Sequence, residues 1–336
     1  MSKIDQTYHG LCETVFSQGR EYLDTRRGAM RLQIPTYTIT HLFKDGFPAL
    51  STKDLYWHGI KTELAWFLNG DNDIKFLRDR KVTIWDSDAY NYHVKHTEKP
   101  LSPEEFQLLG EGSVGQNYSR QWRAYAEQID QITKLINEMR VNIMSSYLVV
   151  NAWNPTELDQ TALAPCHYGF QVVGVPLTIE EKKEWVLKNK IVLNTTEAIE
   201  AAALEADTPT HGFMLSWDQR SSDVFLGIPF NIASYALMAK KLEMLTGHVA
   251  LGIQGNLKCV HFYDNQYDAA KELLLRDPFK HENCELTYKN EPLIYAHNHT
   301  ANIDEFMASI DPKDFILSGY TSDPAIKVKM LAPTSI

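Results

Sequence analysis

The chain has 336 residues, 44% hydrophobic and 23% charged, which excludes whole-chain disorder and suits one large folded unit or two modest ones. Thirty-three basic residues against 43 acidic ones give a net charge of −10, excluding a general positive field that would hold DNA, RNA or an anionic membrane. An anionic ligand must meet a local basic pocket.

No apolar run approaches the roughly 18 residues of a membrane span. The opening MSKIDQTYHG lacks the charged-then-apolar shape of a secretory signal, so a cytoplasmic protein is expected. Cys12, Cys166, Cys259 and Cys284 form no CxxC pair, and each reads as core filler or reactive nucleophile rather than part of a disulfide scaffold.

Along the chain, residues 7–24 read as an amphipathic helix and 31–43 alternate as a strand, ending at the turn signal Lys44-Asp45-Gly46-Phe47-Pro48. The run Ser51-Thr52-Lys53-Asp54 offers N-cap candidates to a buried helix through GIKTELAWFLNG, with Gly70 as its stop. Helical spacing recurs over 127–140, and Tyr147 to Trp153 reads as a short strand. Strands at 168–175 and 211–219 are separated by a Lys-rich and acidic stretch, too long for an ordinary loop and read as a helical insertion. Residues 231–246 form an apolar helix closed by Gly247, and the tail after Asp311 reads as loop.

Gly110-Glu111-Gly112-Ser113-Val114-Gly115 matches GxGxxG but lacks the preceding strand and following helix of a dinucleotide loop. Cys166 is more suggestive. It sits in Leu163-Ala164-Pro165-Cys166-His167 at a strand entrance, where a neighbouring guanidinium would lower a thiol's pKa and make it a nucleophile, although a lone Cys-His pair is more often structural. The segment Asp218 to Asn231 packs an arginine, hydroxyls, carboxylates, amides and a glycine into one loop. A satisfied loop network is the plain reading; a nucleotide monophosphate site is the other, with Arg220 and Ser221 for phosphate and an amide for the pyrimidine edge. Glu63 lies within the apolar TELAWFL, where burial would raise a carboxyl toward neutrality, or else it faces solvent. His261 and Tyr263 share a strand face, suited to hydroxyl recognition or to the core.

Together these segments resemble the folate-dependent thymidylate synthase family, which includes pyrimidine-nucleotide hydroxymethylases. The resemblance spans almost the whole chain: DGFPALSTK, TELAWFLNGDNDI, VTIWD, RQWRAY, NAWNPTELDQTALAPCH, QRSSDVFLGIPFNIASYAL, VHFY and LAPTSI. It implies an α/β (α+β) fold with a large mixed sheet flanked by helices, one domain over 1–336 with insertions near 90–116 and 176–210, and a homodimer formed through the sheet.

Residue by residue, the resemblance makes Cys166 the nucleophile that adds to C6 of the pyrimidine, with Tyr118 and His167 completing a polar network and Glu63 handling protons. Arg26, Arg220, Gln219 and Ser221 are implied for the phosphate, Asn231 for the base edge, and His261 and Tyr263 for the sugar hydroxyl. Lys53, Ile84, Trp85, Leu163, Asp223, Leu226, Gly227, Phe230 and Ser335 are implied for the 5,10-methylenetetrahydrofolate side; Asp223 also counts among the catalytic set. No metal, membrane or nucleic-acid partner is implied. Asparagine at 231 suits uracil, so dUMP is the expected substrate.

Departures bear on the product. Ser145-Ser146-Tyr147 stands where the family carries paired arginines for the partner's phosphate, Asp54 stands for a basic residue, and Asp88 for a second tryptophan. The terminal Thr334-Ser335 adds hydroxyls. Methylation requires the exocyclic intermediate to be kept from water, so this added polarity tilts the expected product to 5-hydroxymethyl-dUMP, with dTMP as the alternative. A non-catalytic nucleotide-sensing or RNA-binding relative is the rival of another class.

Overall fold

The computed structural model describes residues 2–25, 28–189, 195–205, 207–289, 291–292, 303 and 311–328. Helix α1 (Lys3–Gln18) opens the chain, and β1 (Arg20–Asp24) and β2 (Ala29–Leu42) follow as an antiparallel pair. The helix expected over 7–24 therefore ends early. Gly19 adopts an extended conformation while its amide closes on Val15, and the next five residues pair with β2 instead.

Helices α2 (Trp57–Leu68), α3 (Lys75–Arg78), α4 (Asp86–His96), α5 (Pro103–Leu109), α6 (Tyr118–Ala124) and α7 (Gln131–Val141) come next. The expected caps of α2 do other work. Ser51 and Thr52 donate backbone and hydroxyl hydrogens to the buried Asp5 carboxylate at 2.6–3.1 Å, and α2 starts later without a side-chain cap. Asp5 lies 46 residues away from Ser51, a partner that local capping rules cannot foresee.

Strand β3 (Val149–Asn151) is shorter than read from sequence; β4 (His167–Pro176) begins immediately after Cys166. Helices α8 (Ile179–Asn189) and α9 (Thr196–Ala202) form the expected helical excursion before β5 (His211–Gln219), with Val186, Ala202 and Ala203 packing as a small cluster of their own. Then come β6 (Ser222–Asp223), α10 (Gly227–Thr246), β7 (Val249–Tyr263), α11 (Tyr267–Leu274), β8 (Glu285–Tyr288), β9 (Glu291–Pro292) and β10 (Phe315–Ser318). The last of these corrects the loop expected after Asp311: residues 315–318 pair antiparallel with β8.

Among the described residues the main sheet has seven strands in the order β1-β2-β7-β5-β4-β3, with β6 also on β7. It is mixed, because β5 and β6 run parallel to β7 while the other pairs are antiparallel. Helix α10 is apolar on most sides and buried along most of its length, as a helix enclosed by protein must be. Its Tyr235 stacks on Trp217 of β5 at 5.0 Å between ring centroids and meets Phe170 of β4 edge-on. This packing holds the N-terminal end of α10, the 219–231 loop and the entrance to β4 in one place. The GxGxxG segment is not a strand-to-helix phosphate loop: Gly110 caps α5 in a left-handed conformation, and Ser113 bridges to Asp73.

Candidate active site

Cys166 is partly buried at the mouth of β4, and its position is fixed through its backbone. Its amide donates to Tyr118 Oη at 2.7 Å, and its carbonyl accepts the Arg220 amide at 2.8 Å. The Arg220 guanidinium then clasps the preceding turn: Nε donates to the Pro165 carbonyl and Nη2 to the Ala164 carbonyl, both at 2.8 Å. Its carbon lies 5.2 Å from the Trp153 ring centre, a cation–π distance. A fixed cation thus sits next to the turn that carries the thiol, as the sequence argument required.

His167 packs between Tyr118, stacked at 4.1 Å, and Tyr235, whose hydroxyl is 2.8 Å from Nδ1. Burial pushes this histidine down to about 3, so it is neutral across the physiological range. The same burial holds the Tyr118 and Tyr235 phenols well above their ordinary values, so both remain protonated donors. Tyr235 was missed by sequence reading, although it lies one helical turn beyond Asn231 on the same face of α10.

Glu63 lies between the two settings left open by the sequence, partly buried with its carboxyl turned to an indole. Buried neighbours surround it on α2, and burial raises its carboxyl to about 7. Its Oε1 accepts from Trp85 Nε1 at 2.7 Å, a bond that pulls the other way and is outweighed by burial. Trp85 in turn contacts the rings of Trp66, Phe67 and Tyr118. One aromatic wall therefore links Glu63 to the tyrosine that holds Cys166.

The 219–231 loop supplies the next group. Gln219 is buried, accepts from Trp217 Nε1, and donates from Nε2 to the Ser221 carbonyl and to Asn231 Oδ1, the last at 3.1 Å. That contact orients the Asn231 amide, leaving its NH2 group for a ligand carbonyl. Gly227 opens α10, and a Cβ there would lie 3.7 Å from Asn231 Oδ1 and 3.6 Å from Asp223. Asp223 is committed to the loop: Oδ1 accepts from the Phe225 and Leu226 amides, and Oδ2 from Gln266 Nε2 at 2.9 Å. Gln266 is a second residue that sequence reading missed.

Lys53 is buried, its ammonium donating to the Phe225 carbonyl and lying 3.9 Å from that ring. Burial lowers it to about 8. It thus arrives at the 223–226 loop as a tether. Ile84, Leu163, Leu226 and Phe230 are partly buried apolar residues at the edge of the core. His261 and Tyr263 do lie side by side on β7, with ring centres 4.9 Å apart. Arg26 and Ser335 lie outside the described residues, as does the whole terminal pentapeptide. Among the described residues no group of three or more His, Cys, Asp or Glu side chains comes together as a metal site, and no helix is long and apolar enough to cross a membrane.

A cysteine held by its backbone at a strand entrance, beside a neutral histidine and linked through Tyr118 and Trp85 to a carboxyl raised toward neutrality, is equipped for group transfer through a thiol adduct. The comparisons with known proteins agree in kind. The family model described as thymidylate synthase matches residues 6–332. A thymidylate synthase of Enterobacteria phage T4 is 32% identical over 341 residues, covering 96% of this chain and 98% of the relative. One from Malacoplasma penetrans is 32% identical over 295 residues, covering 85% and 86%. This chain belongs to the thymidylate synthase family, and it is an enzyme, a one-carbon transferase.

Proposed function

We propose that the enzyme transfers the one-carbon unit of 5,10-methylenetetrahydrofolate to C5 of dUMP through a covalent adduct on Cys166. The observation that carries this reading is the joint fixing of the thiol turn and the base-edge amide. Arg220 clasps Ala164 and Pro165, while its neighbour Gln219 orients Asn231, so thiol and base reader are set by adjacent residues of one loop.

In this reading the Cys166 thiolate adds to C6, and C5 becomes an enolate-like carbon nucleophile. The folate supplies the one-carbon unit and, for methylation, the hydride that completes it. Glu63, near 7, holds and releases protons at the C5 and O4 side; neutral His167 and Tyr118 keep the thiol turn in register. Asn231 presents its NH2 to the uracil O4, a donor that cytosine's amino group would meet with a second donor. Trp85, Ile84, Leu163, Leu226 and Phe230 offer apolar surface to the pterin, with Lys53 and Asp223 supporting the loop between them.

The sequence tilts the expected product to 5-hydroxymethyl-dUMP; with the packing around Glu63 taken into account, methylation to dTMP is the product we favour. The indole that bonds Glu63 is 7% exposed and walled by Trp66, Phe67 and Tyr118, a dry setting that disfavours capture of the intermediate by water. Asp88, one turn further along α4, is the specific observation for the second reading, hydroxymethylation. Incubation with dUMP and methylenetetrahydrofolate separates them. Stoichiometric dihydrofolate absorbance with dTMP supports methylation; 5-hydroxymethyl-dUMP without dihydrofolate overturns it. Parallel reactions with UMP, dCMP and CMP test the substrate.

We also propose a single domain acting as a homodimer through the sheet. Val149 and Val173 stand exposed on the main sheet, next in sequence to residues buried on its other face. Sedimentation at micromolar concentration tests this, and a monomer would contradict it.

A further inference from the structure

The pair His261 and Tyr263 has a partner that the motifs did not suggest. Arg31 stands opposite Tyr263 in the β2–β7 ladder. Its Nη2 lies 3.1 Å from His261 Nε2 and 3.0 Å from Tyr263 Oη, and its Nη1 donates to Tyr22 Oη at 2.9 Å. Asp24 lies 3.5 Å from Nη2. The residue is only 7% exposed, and its Nε has no hydrogen-bond partner among the described residues. Burial is outweighed by its hydrogen bonds to Tyr22 and Tyr263, which hold the guanidinium charged, with one donor left over.

The contacts fix the proton on His261. Its Nδ1 is 2.6 Å from the Cys259 carbonyl, which can only accept, so Nδ1 carries the hydrogen. Nε2 then holds the lone pair, and Arg31 donates to it. The groups facing the ring are Arg31 on β2, Asp223 on β6 and Asp24 on β1; burial and Arg31 together keep it neutral, pushed down to about 4. Arg31 also fills a lone pair of Tyr263, leaving the phenolic hydrogen to point elsewhere. Both His261 nitrogens are therefore taken, and the Tyr263 hydroxyl is the donor this pair offers.

We propose that Arg31 is a specificity-determining positioning residue: by donating to His261 Nε2 it holds the ring neutral in the form that the Cys259 carbonyl sets, and it aims Tyr263 as a donor, so that the sugar 3′-oxygen is recognised as an acceptor. The proposal rests on the nucleotide reading given above. Because it acts through two neighbours, Arg31 is not itself a catalytic residue.

The test uses the full chain with 15N-labelled histidine, as wild type, Arg31→Met and Arg31→Lys. Wild-type His261 is expected to remain Nδ1–H from pH 5.5 to 8. In Arg31→Met, Nδ1 keeps its hydrogen on the Cys259 carbonyl while the freed Nε2 takes up a proton at a higher pH than in wild type, and the KM for dUMP rises about tenfold while kcat changes much less. The preference for dUMP over its 3′-deoxy analogue falls by a similar factor. Arg31→Lys, which keeps the charge without the planar fork, is expected to fall between the two and carries the test if the methionine variant does not fold. An unchanged His261 titration and KM in whichever variant carries the test would overturn the proposal. Trapping with 5-fluoro-dUMP keeps the two failures apart: a wild-type enzyme that forms no adduct overturns the nucleotide reading, whereas a trapping-competent enzyme indifferent to Arg31 overturns this inference alone.

Discussion

Glu63 on α2 and Asp223 in the 219–231 loop are both carboxylates assigned to one site, yet their surroundings prepare them for different work. Glu63 has an indole as its bonded partner and a shell of apolar rings, so its charge is disfavoured and its carboxyl is raised to about 7. Asp223 accepts three hydrogen bonds, from two backbone amides and Gln266, and its charge holds a turn together. The difference teaches where proton chemistry can occur: a carboxylate already saturated with donors is a structural anchor, while one kept short of donors can exchange a proton near neutral pH.

Replacing the nucleophile should have the largest effect on this arrangement. Cys166→Ala is expected to lose product formation by at least about 10⁴-fold in a steady-state assay. Glu63→Gln should lower kcat by about 10²- to 10³-fold and remove a limb of the pH profile whose wild-type midpoint lies near 7. The same variant has a stability signature of defined sign. A carboxyl ordinarily near 4.5 that is raised to about 7 binds its proton more tightly in the folded state. The associated stability is fully present below pH 4.5 and lost as pH rises through 7, costing up to about 3 kcal/mol. Glu63→Gln should therefore melt above wild type at pH 8, with the advantage disappearing toward pH 4.

Tyr118→Phe removes the acceptor of the Cys166 amide, and a fall in kcat of about tenfold with the fold intact is expected. Asp223→Asn should have the smallest effect on chemistry and act mainly on stability. Its new NH2 would face Gln266 Nε2, and turning Gln266 round would forfeit the bond its oxygen accepts from the Tyr263 amide. Urea unfolding is expected to show a loss of about 1–3 kcal/mol. If Asp223→Asn instead moved the pH limb and Glu63→Gln did not, the contrast between the two carboxylates would be reversed.

What could be read from sequence follows the reach of each interaction. The 219–231 loop was legible because its donors and acceptors lie within fourteen residues of one another, and the Gln219–Asn231 contact is local. The helix carrying Glu63 was legible too, and so was its burial, but the setting of Glu63 itself was not, because Trp85 arrives from 22 residues away. Arg31 left no signal at all: its key partner, His261, is 230 residues distant and lies across a strand pair. The misplaced cap of α2 has the same origin, since hydroxyls that look like local caps were claimed by Asp5. Strand β10 was missed because its alternation is brief and its partner β8 lies far back in the chain, the paired Leu286 and Leu317 standing 31 positions apart.

The most direct test of the central claim is mass spectrometry of the enzyme incubated with 5-fluoro-dUMP and methylenetetrahydrofolate. Fluorine at C5 cannot leave as a proton does, so an adduct formed through C6 should accumulate. The account predicts a covalent complex of enzyme, nucleotide and folate mapped to the peptide containing Cys166, and none in Cys166→Ala. An adduct on another residue, or full turnover by Cys166→Ala, would contradict it.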